Sequence, residues 1–291
     1  MIVVAGGSGL LGQHVVSDLV AHGERVRALV RDPGRARGVL GDVDVDVVAG
    51  DVRRREGLDE LVAGARVVVS AVHGFLGGRG AGPVQVDERG NANLVDAACA
   101  AGADVVLVSV LGASSDSPVE LFRAKHRAEQ HLRRSATPWT IVRPAAYLET
   151  WLTVLTQTAG RSGRPLIFGR GQAPIRFVSV LDVASVVTRA ATDATLRGQV
   201  REVAGEPLTM TDLARALQDA RGWHGSPRHL PRPVLRTLAV AARPISPAFA
   251  RQNHTALAMD TGQLAVDVAI ANTLGLPTHT VSDVLARFVA R

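Results

Sequence analysis

The sequence predicts an α/β fold: a doubly wound parallel sheet with a small, mostly helical C-terminal lobe. Three observations predict it. Short valine-rich runs alternate with amphipathic stretches over the first part of the chain. A cluster of glycines separates the first run from the stretch after it, and the alternation gives way to proline-punctuated helical sequence after residue 150. Continuously apolar runs suit strands covered on both faces, and strands alternating with helices suit a parallel sheet.

Taken in order, Ile2–Ala5 is the first strand. The sequence opens directly on it, so no basic and apolar leader segment is expected. Gly6-Gly7-Ser8-Gly9-Leu10-Leu11-Gly12 follows, and Leu11–Ala21 is the first helix. Gly7, Gly9 and Gly12 give G-x-G-x-x-G; Gly6, Gly9 and Gly12 give G-x-x-G-x-x-G. Either register serves one need. The chain turns sharply, the backbone approaches a pyrophosphate with no Cβ in the way, and the N–H groups opening the helix face negative charge. This is the dinucleotide cradle of a Rossmann-like sheet, with Gly6, Ser8, Gly9, Leu10, Leu11 and Gly12 at the phosphates.

Val26–Val30 is the second strand, and Arg31-Asp32-Pro33 stands at its tip, where the cofactor ribose is read. Arg31 suits a 2′-phosphate, so NADP(H) is expected in preference to NAD(H); the alternative is that Arg31 is a surface residue and Asp32 takes the ribose. Val45–Val48 is the third strand, followed by Gly50-Asp51-Val52, where Asp51 is placed beside the adenine. Glu56–Val62 is helical, Val67–Ser70 the fourth strand, Asn91–Ala101 helical, Val105–Ser109 the fifth strand, Val119–Arg134 helical and Thr140–Val142 the sixth strand. Gly23, Gly64 and Gly102 fall just past helix ends. Phe177–Val180 reads as a further strand and Val183–Ala191 as a helix begun by Asp182. The dinucleotide domain is therefore drawn over 1–150 with 176–204 returning to it. The substrate lobe is drawn over 151–175 and 205–291, with Trp151, Leu152 and Phe168 as lining.

Composition narrows the classes. In 291 residues, 46% are hydrophobic and 21% charged, enough for a core and too apolar for a disordered chain. No apolar run approaches the ~20 residues of a membrane span. The single cysteine, Cys99, reads as packing on an alanine-rich helix face and admits no internal disulfide. A cytoplasmic monomer or homodimer acting on a small molecule is expected, with no nucleic-acid or membrane partner. The net charge of +6 is shared between the two parts of the chain, with nine arginines against six acidic residues from residue 205 onward. Lys125 is the only lysine and Tyr147 the only tyrosine. The nine histidines show no metal-binding spacing, and the Gly-x-Ser-x-Gly of a hydrolase is absent.

Together, Gly6–Gly12, Arg31, Gly50-Asp51, Ser70-Ala71-Val72, Val108-Ser109, Lys125, Arg143-Pro144 and Asp182-Val183-Ala184 resemble the short-chain dehydrogenase/reductase superfamily in its atypical, NmrA-like branch, over essentially the first two hundred residues. The resemblance implies that Val52, Ala71, Val72, His73 and Pro144 line the cofactor. It implies that Ser109 hydrogen-bonds a substrate carbonyl and that Lys125 holds the nicotinamide ribose. It also exposes a departure: Leu121 stands four residues before Lys125, where such reductases commonly carry the tyrosine of Tyr-x-x-x-Lys. The proton then comes from Lys125 or an ordered water, or from Tyr147, or the site binds nucleotide without catalysis. The plainer alternatives are a loop-satisfied hydroxyl for Ser109, a packing aromatic for Tyr147 and a surface loop residue for His73. The expected function is an NADP(H)-dependent oxidoreductase moving hydride to or from a carbonyl, enone or quinone-like compound. The alternatives are an NADP(H)-binding sensor and, sharing the fold, a sugar-nucleotide epimerase or dehydratase.

Overall fold

The computed structural model describes residues 1–265 and 278–290. The chain divides into two compact units: Met1–Asp116, Glu120–Arg143 and Val183–Glu202 form the first, and Ser117–Val119, Pro144–Asp182 and Val203–Arg291 form the second. In chain order, β1 (Ile2–Ala5), α1 (Leu10–Ala21), β2 (Val26–Val30), α2 (Pro33–Leu40), β3 (Asp46–Ala49), α3 (Leu58–Val62) and β4 (Val67–Ser70) open the first unit. A π-helical turn, Val84–Gly90, leads into α4 (Asn91–Ala100), then β5 (Asp104–Val108), α5 (Glu120–Arg134) and β6 (Trp139–Pro144). The chain passes through β7 (Ala146–Tyr147), α6 (Leu148–Ala159), β8 (Leu166–Phe168) and β9 (Pro174–Val178), and returns along α7 (Val180–Thr192) to β10 (Gln199–Val203).

The first unit is a seven-stranded sheet in the order β10-β6-β5-β4-β1-β2-β3, the doubly wound arrangement expected from the sequence. β1 lies inside the sheet between β4 and β2, with all four of its residues buried; Ile2 lies opposite Val26 on one side and Val67 on the other, both pairings parallel. Helix α1 turns Leu11, Val15, Val16 and Leu19 inward, a spacing that makes one apolar stripe. Beneath the other face, Val3, Val68, Leu94, Leu107, Leu132 and Ile141 belong to one buried cluster. Each such side chain contributes about 1.5–3 kcal/mol through burial.

Five local expectations change. Residues 33–40, left outside any helix, form α2: the N–H of Arg35 donates to Asp32 Oδ1, so Asp32 is a helix cap with Pro33 at the first helical position. The third strand is Asp46–Ala49, one residue later than read, and the fifth ends at Val108, which leaves Ser109 in the following turn. Val180 opens α7 instead of closing a strand, because its N–H and the Ser179 hydroxyl both donate to the carboxylate of Glu149. β10 supplies a seventh strand that a polar, mixed sequence did not signal. Gly23, Gly64 and Gly102 do carry the positive φ expected past helix ends.

The second unit continues with β11 (Pro207–Thr209), α8 (Met210–Arg221), β12 (Arg228–Leu230), α9 (Arg232–Ala241), α10 (Pro247–Asp260) and α11 (Val281–Val289). Two small sheets, β11-β9-β7 and β12-β8, pack with these helices. Its core gathers Leu148, Leu152, Leu155, Ile167, Phe177 and Leu213. Leu152 therefore belongs to this core, fully buried, and not to a pocket wall.

Candidate cofactor and active site

A parallel sheet presents its strand ends, and the helix starts that follow them, along one edge. The residues singled out in the first unit fall there. After β1 the chain folds tightly: the N–H of Gly9 donates to Gly6 O at 2.9 Å. Three glycines are needed for packing. A Cβ on Gly12 would lie 2.1 Å from Gly6 O, one on Gly7 2.9 Å from Ala28 Cβ, and one on Gly6, whose φ is +81°, 2.9 Å from Ala71 O. Gly9 differs. It is exposed, and a Cβ there would meet only Gly6 O, at 3.2 Å. Gly9 is the N-cap of α1, no side chain caps the helix, and its first turn holds no acidic residue. The opening N–H groups are thus left for an anion, which is what a dinucleotide pyrophosphate requires.

At the β2 tip, Arg31 is exposed, while Asp32 spends one carboxylate oxygen on capping α2. Asp51 is clasped by Arg53, whose backbone N–H and guanidinium both donate to it. The Arg53 hydrogen bonds, and more distantly the charge of Arg31, hold the Asp51 carboxyl below its usual value against the opposing effect of burial. Val52 is buried.

The solitary lysine has a defined setting. Lys125 is 3% exposed, and its Nζ donates to Val72 O at 2.9 Å and to Val108 O at 2.8 Å. It therefore ties the tips of β4 and β5 together. The same Nζ lies 3.1 Å from Oδ1 of Asp87, a fully buried carboxylate on the π-helical turn. Asp87 Oδ2 accepts the N–H of Gly74 at 2.7 Å, and Asn91 Nδ2 donates to Asp87 O at 2.7 Å. Asn91 Oδ1 takes the hydroxyl proton of Ser70 at the end of β4. His73 lies at the exposed rim of this cluster.

Ser109 belongs to a second network. Its hydroxyl donates to Oε1 of Glu129, which is fully buried, and Arg143 grips both oxygens of that carboxylate, from Nε at 2.9 Å and Nη2 at 2.6 Å. The Glu129 hydrogen bonds raise the Arg143 guanidinium further above its already high value. Sequence reasoning missed Asp87 and Glu129. A signal for Glu129 existed: it follows Lys125 by one turn, and the two flank the buried stripe Ala124, Ala128 and Leu132. Leu121 occupies the turn before Lys125 on the same helix and brings no phenol. Cys99 is half-buried, more open than a packing role requires.

In the second unit, Pro144 is buried and Tyr147 half-buried. Burial, and then the negative charge of Glu149, pushes the Tyr147 phenol well above its usual value. A separate hollow of about 280 Å³, counting its open mouth, is lined by Trp151, Phe168, Ile175, Met210, Met259 and Asp260. Asp260 is spent on structure: Arg232 Nε donates to it at 2.6 Å and the N–H of Gly171 at 2.7 Å.

The model of the NmrA-like family matches residues 1–271, well beyond the first two hundred on which the resemblance was based. An NAD(P)H azoreductase from Xenophilus azovorans is 31% identical over 227 residues, 76% of this chain and 74% of its own length. A ceramide reductase from Caulobacter vibrioides is 31% identical over 244 residues, 81% and 75% of the two chains. Among solved structures, an NADPH-dependent quinone oxidoreductase from Escherichia coli, in complex with NADPH, superposes with a TM-score of 0.79 over 99% of both chains at 23% identity. A Citrobacter triphenylmethane reductase with NADP(H) gives 0.78 at 19% identity, over 99% of this chain and all of the other. The family match over residues 1–271 and the two relatives carry one conclusion: this chain belongs to the NmrA-like family.

Proposed function

We propose that the chain is an NADP(H)-dependent oxidoreductase that moves hydride to or from a small carbonyl, enone or quinone-like compound. The observation that carries this reading is the uncapped start of α1 with exposed Gly9 at its cap, behind a turn that Gly6, Gly7 and Gly12 keep closed. Relatives named as NAD(P)H-using reductases support it. The bound nicotinamide supplies the hydride chemistry. The chain's own residues bind and orient.

Gly6 through Gly12 hold the pyrophosphate, and exposed Arg31 takes the 2′-phosphate, since Asp32 is engaged in capping. Asp51, Val52, Ala71, Val72, His73 and Pro144 line the nucleotide. Lys125 fixes the β4 and β5 tips, paired with Asp87, and would serve the nicotinamide ribose. Ser109 polarises a substrate oxygen only by releasing Glu129, because its one hydroxyl proton is given to that carboxylate. Tyr147 is the candidate proton donor in this reading, although burial and then the charge of Glu149 raise its phenol and so make it a weaker acid than an ordinary tyrosine. Within the second unit, Trp151 and Phe168 stand in the lining of the hollow and offer an apolar surface.

A second reading, an NADP(H)-binding regulator, is favoured by Leu121 and by the internal partners of both Ser109 and Lys125. One experiment separates the two. The pure protein is titrated calorimetrically with NADPH, NADH and their oxidised forms, then followed at the reduced-nicotinamide absorbance band with a panel of enones, quinones and azo compounds. Binding with turnover is expected. Binding without turnover across the panel selects the regulator, and no binding of any coenzyme ends both readings.

A further inference from the structure

The shared arginine surplus hides a local concentration. Residues 220–259 hold six arginines and no aspartate or glutamate, so this window alone equals the chain's net charge of +6. It folds as β12 and a helical hairpin, α9 and α10, joined by residues 242–246. Leu235 and Ala239 of α9, and Ala250, Asn253 and Ala256 of α10, are buried.

The outer side is unusual. Val234, Val240, Ile245 and Phe249 are 41%, 63%, 87% and 43% exposed; among the described residues they are four of the seven large apolar side chains left open. Ile245 sits in the link, at the tip. Arg236 and Arg243 are exposed beside these residues. Arg228 and Arg232 are turned to other tasks, donating to Thr158 O and to Asp260 respectively. Val240, Ile245 and Phe249 stand in or next to the link with Arg243 among them, and the one acid of the two helices, Asp260, is held by Arg232; exposed apolar side chains beside arginines match the chemistry of a lipid headgroup boundary.

We propose that the α9–α10 hairpin docks on an anionic phospholipid surface, with Ile245 and Phe249 entering the headgroup region and Arg236 and Arg243 meeting the phosphates. Contact is peripheral, since no helix among the described residues is long and apolar enough to cross a membrane. A second copy of the chain is the poorer occupant. A two-fold pairing through this face brings two arginine-bearing surfaces together, and like charges brought together oppose association. A nucleic acid would leave the aliphatic tip without a partner. This inference is independent of the oxidoreductase reading and modifies the expectation of no membrane partner.

The test is co-sedimentation of the full chain with extruded vesicles of phosphatidylglycerol mixed with phosphatidylcholine, against pure phosphatidylcholine. Retention is expected on the anionic vesicles only, and it falls as salt is raised. Arg236→Gln with Arg243→Gln weakens partitioning by about fivefold per charge removed. Ile245→Asp, on an exposed link where folding is unaffected, weakens it about tenfold or more. Circular dichroism melts check that both variants stay folded. Tryptophan at the tip, through Ile245→Trp, gains emission quenched by brominated lipid. Absence of retention overturns the proposal, as does equal retention of Ile245→Asp. A dimer that forms without vesicles and is dissolved by Ile245→Asp, with no vesicle binding, assigns the face to a second copy and equally overturns it.

Discussion

The glycines of the β1–α1 turn divide into two kinds, and two single substitutions distinguish them. In Gly12→Ala the new Cβ lies 2.1 Å from Gly6 O and 2.9 Å from both Gly6 C and Gly7 Cα. All three neighbours are backbone, so no side chain can rotate away. Overpacking of this kind costs about 3 kcal/mol, the upper part of the usual range. For a chain of this size that lowers the melting temperature by roughly 6 °C. In Gly9→Ala the Cβ meets only Gly6 O, at 3.2 Å, and the φ of −78° is ordinary for alanine. The poorer N-cap costs about 1 kcal/mol, or roughly 2 °C. Ligand binding reverses the ranking relative to stability, because the methyl of Gly9→Ala stands on the exposed side where the pyrophosphate is proposed to rest. Differential scanning fluorimetry with calorimetry of NADPH is the assay. A Gly9→Ala protein that melts within about 2 °C of the parent but binds NADPH about tenfold or more weakly is expected. Parental affinity in Gly9→Ala, or a parental melt in Gly12→Ala, would refute the reasoning.

Three further outcomes are expected. Lys125→Met leaves the Asp87 carboxylate buried without its cation and should cost about 3–5 kcal/mol in chemical denaturation; adding Asp87→Asn should return part of that loss, and additive losses would show that the pair is not coupled. Arg31→Glu should weaken NADPH at least about tenfold more than NADH, since a charge-assisted contact to the 2′-phosphate is replaced by repulsion; equal weakening removes the NADP(H) preference. Burial alone would raise the Asp260 carboxyl, yet Arg232 and the backbone N–H groups of Arg170 and Gly171 outweigh it and hold the value low. A depressed carboxylate gives stability that is complete above its unfolded value, near 3.9, and fades as the pH falls through the folded one. Melting followed from about pH 5 downward should therefore drop less steeply in Arg232→Gln than in the parent.

Much of the first unit was readable because its signals are local. An apolar run, a glycine turn and an amphipathic helix lie within twenty residues of one another around Gly6–Gly12, and the valine runs of β4 and β5 admit few other fates. Helix α2 was lost because Asp32-Pro33-Gly34 suits a turn as well as a cap with proline at the first helical position; the Arg35 N–H bond decides between them. β10 was lost because edge strands need no apolar run. The site was half legible. Lys125 stood out as a solitary lysine, but its partners Val72, Val108 and Asp87 are 53, 17 and 38 residues away in sequence, and no spacing rule joins them. Trp151 lines the hollow while its neighbour Leu152 is buried in the core, since one residue along a helix turns a side chain by about 100°.

The detour of the chain has a consequence for biosynthesis. β10 covers the flank of β6, with Gly198 N–H bonded to Trp139 O and the Thr140 hydroxyl to Leu196 O. A nascent polypeptide that has emerged only as far as Arg143 presents that flank bare, a ribbon of unmet amides and carbonyls open to wrong pairing. Some sixty more residues must leave the ribosome before the native cover arrives. A gene cut after residue 143 is accordingly a poor source of an isolated nucleotide-binding half, and a design that restores 183–202 by a short splice is the better one.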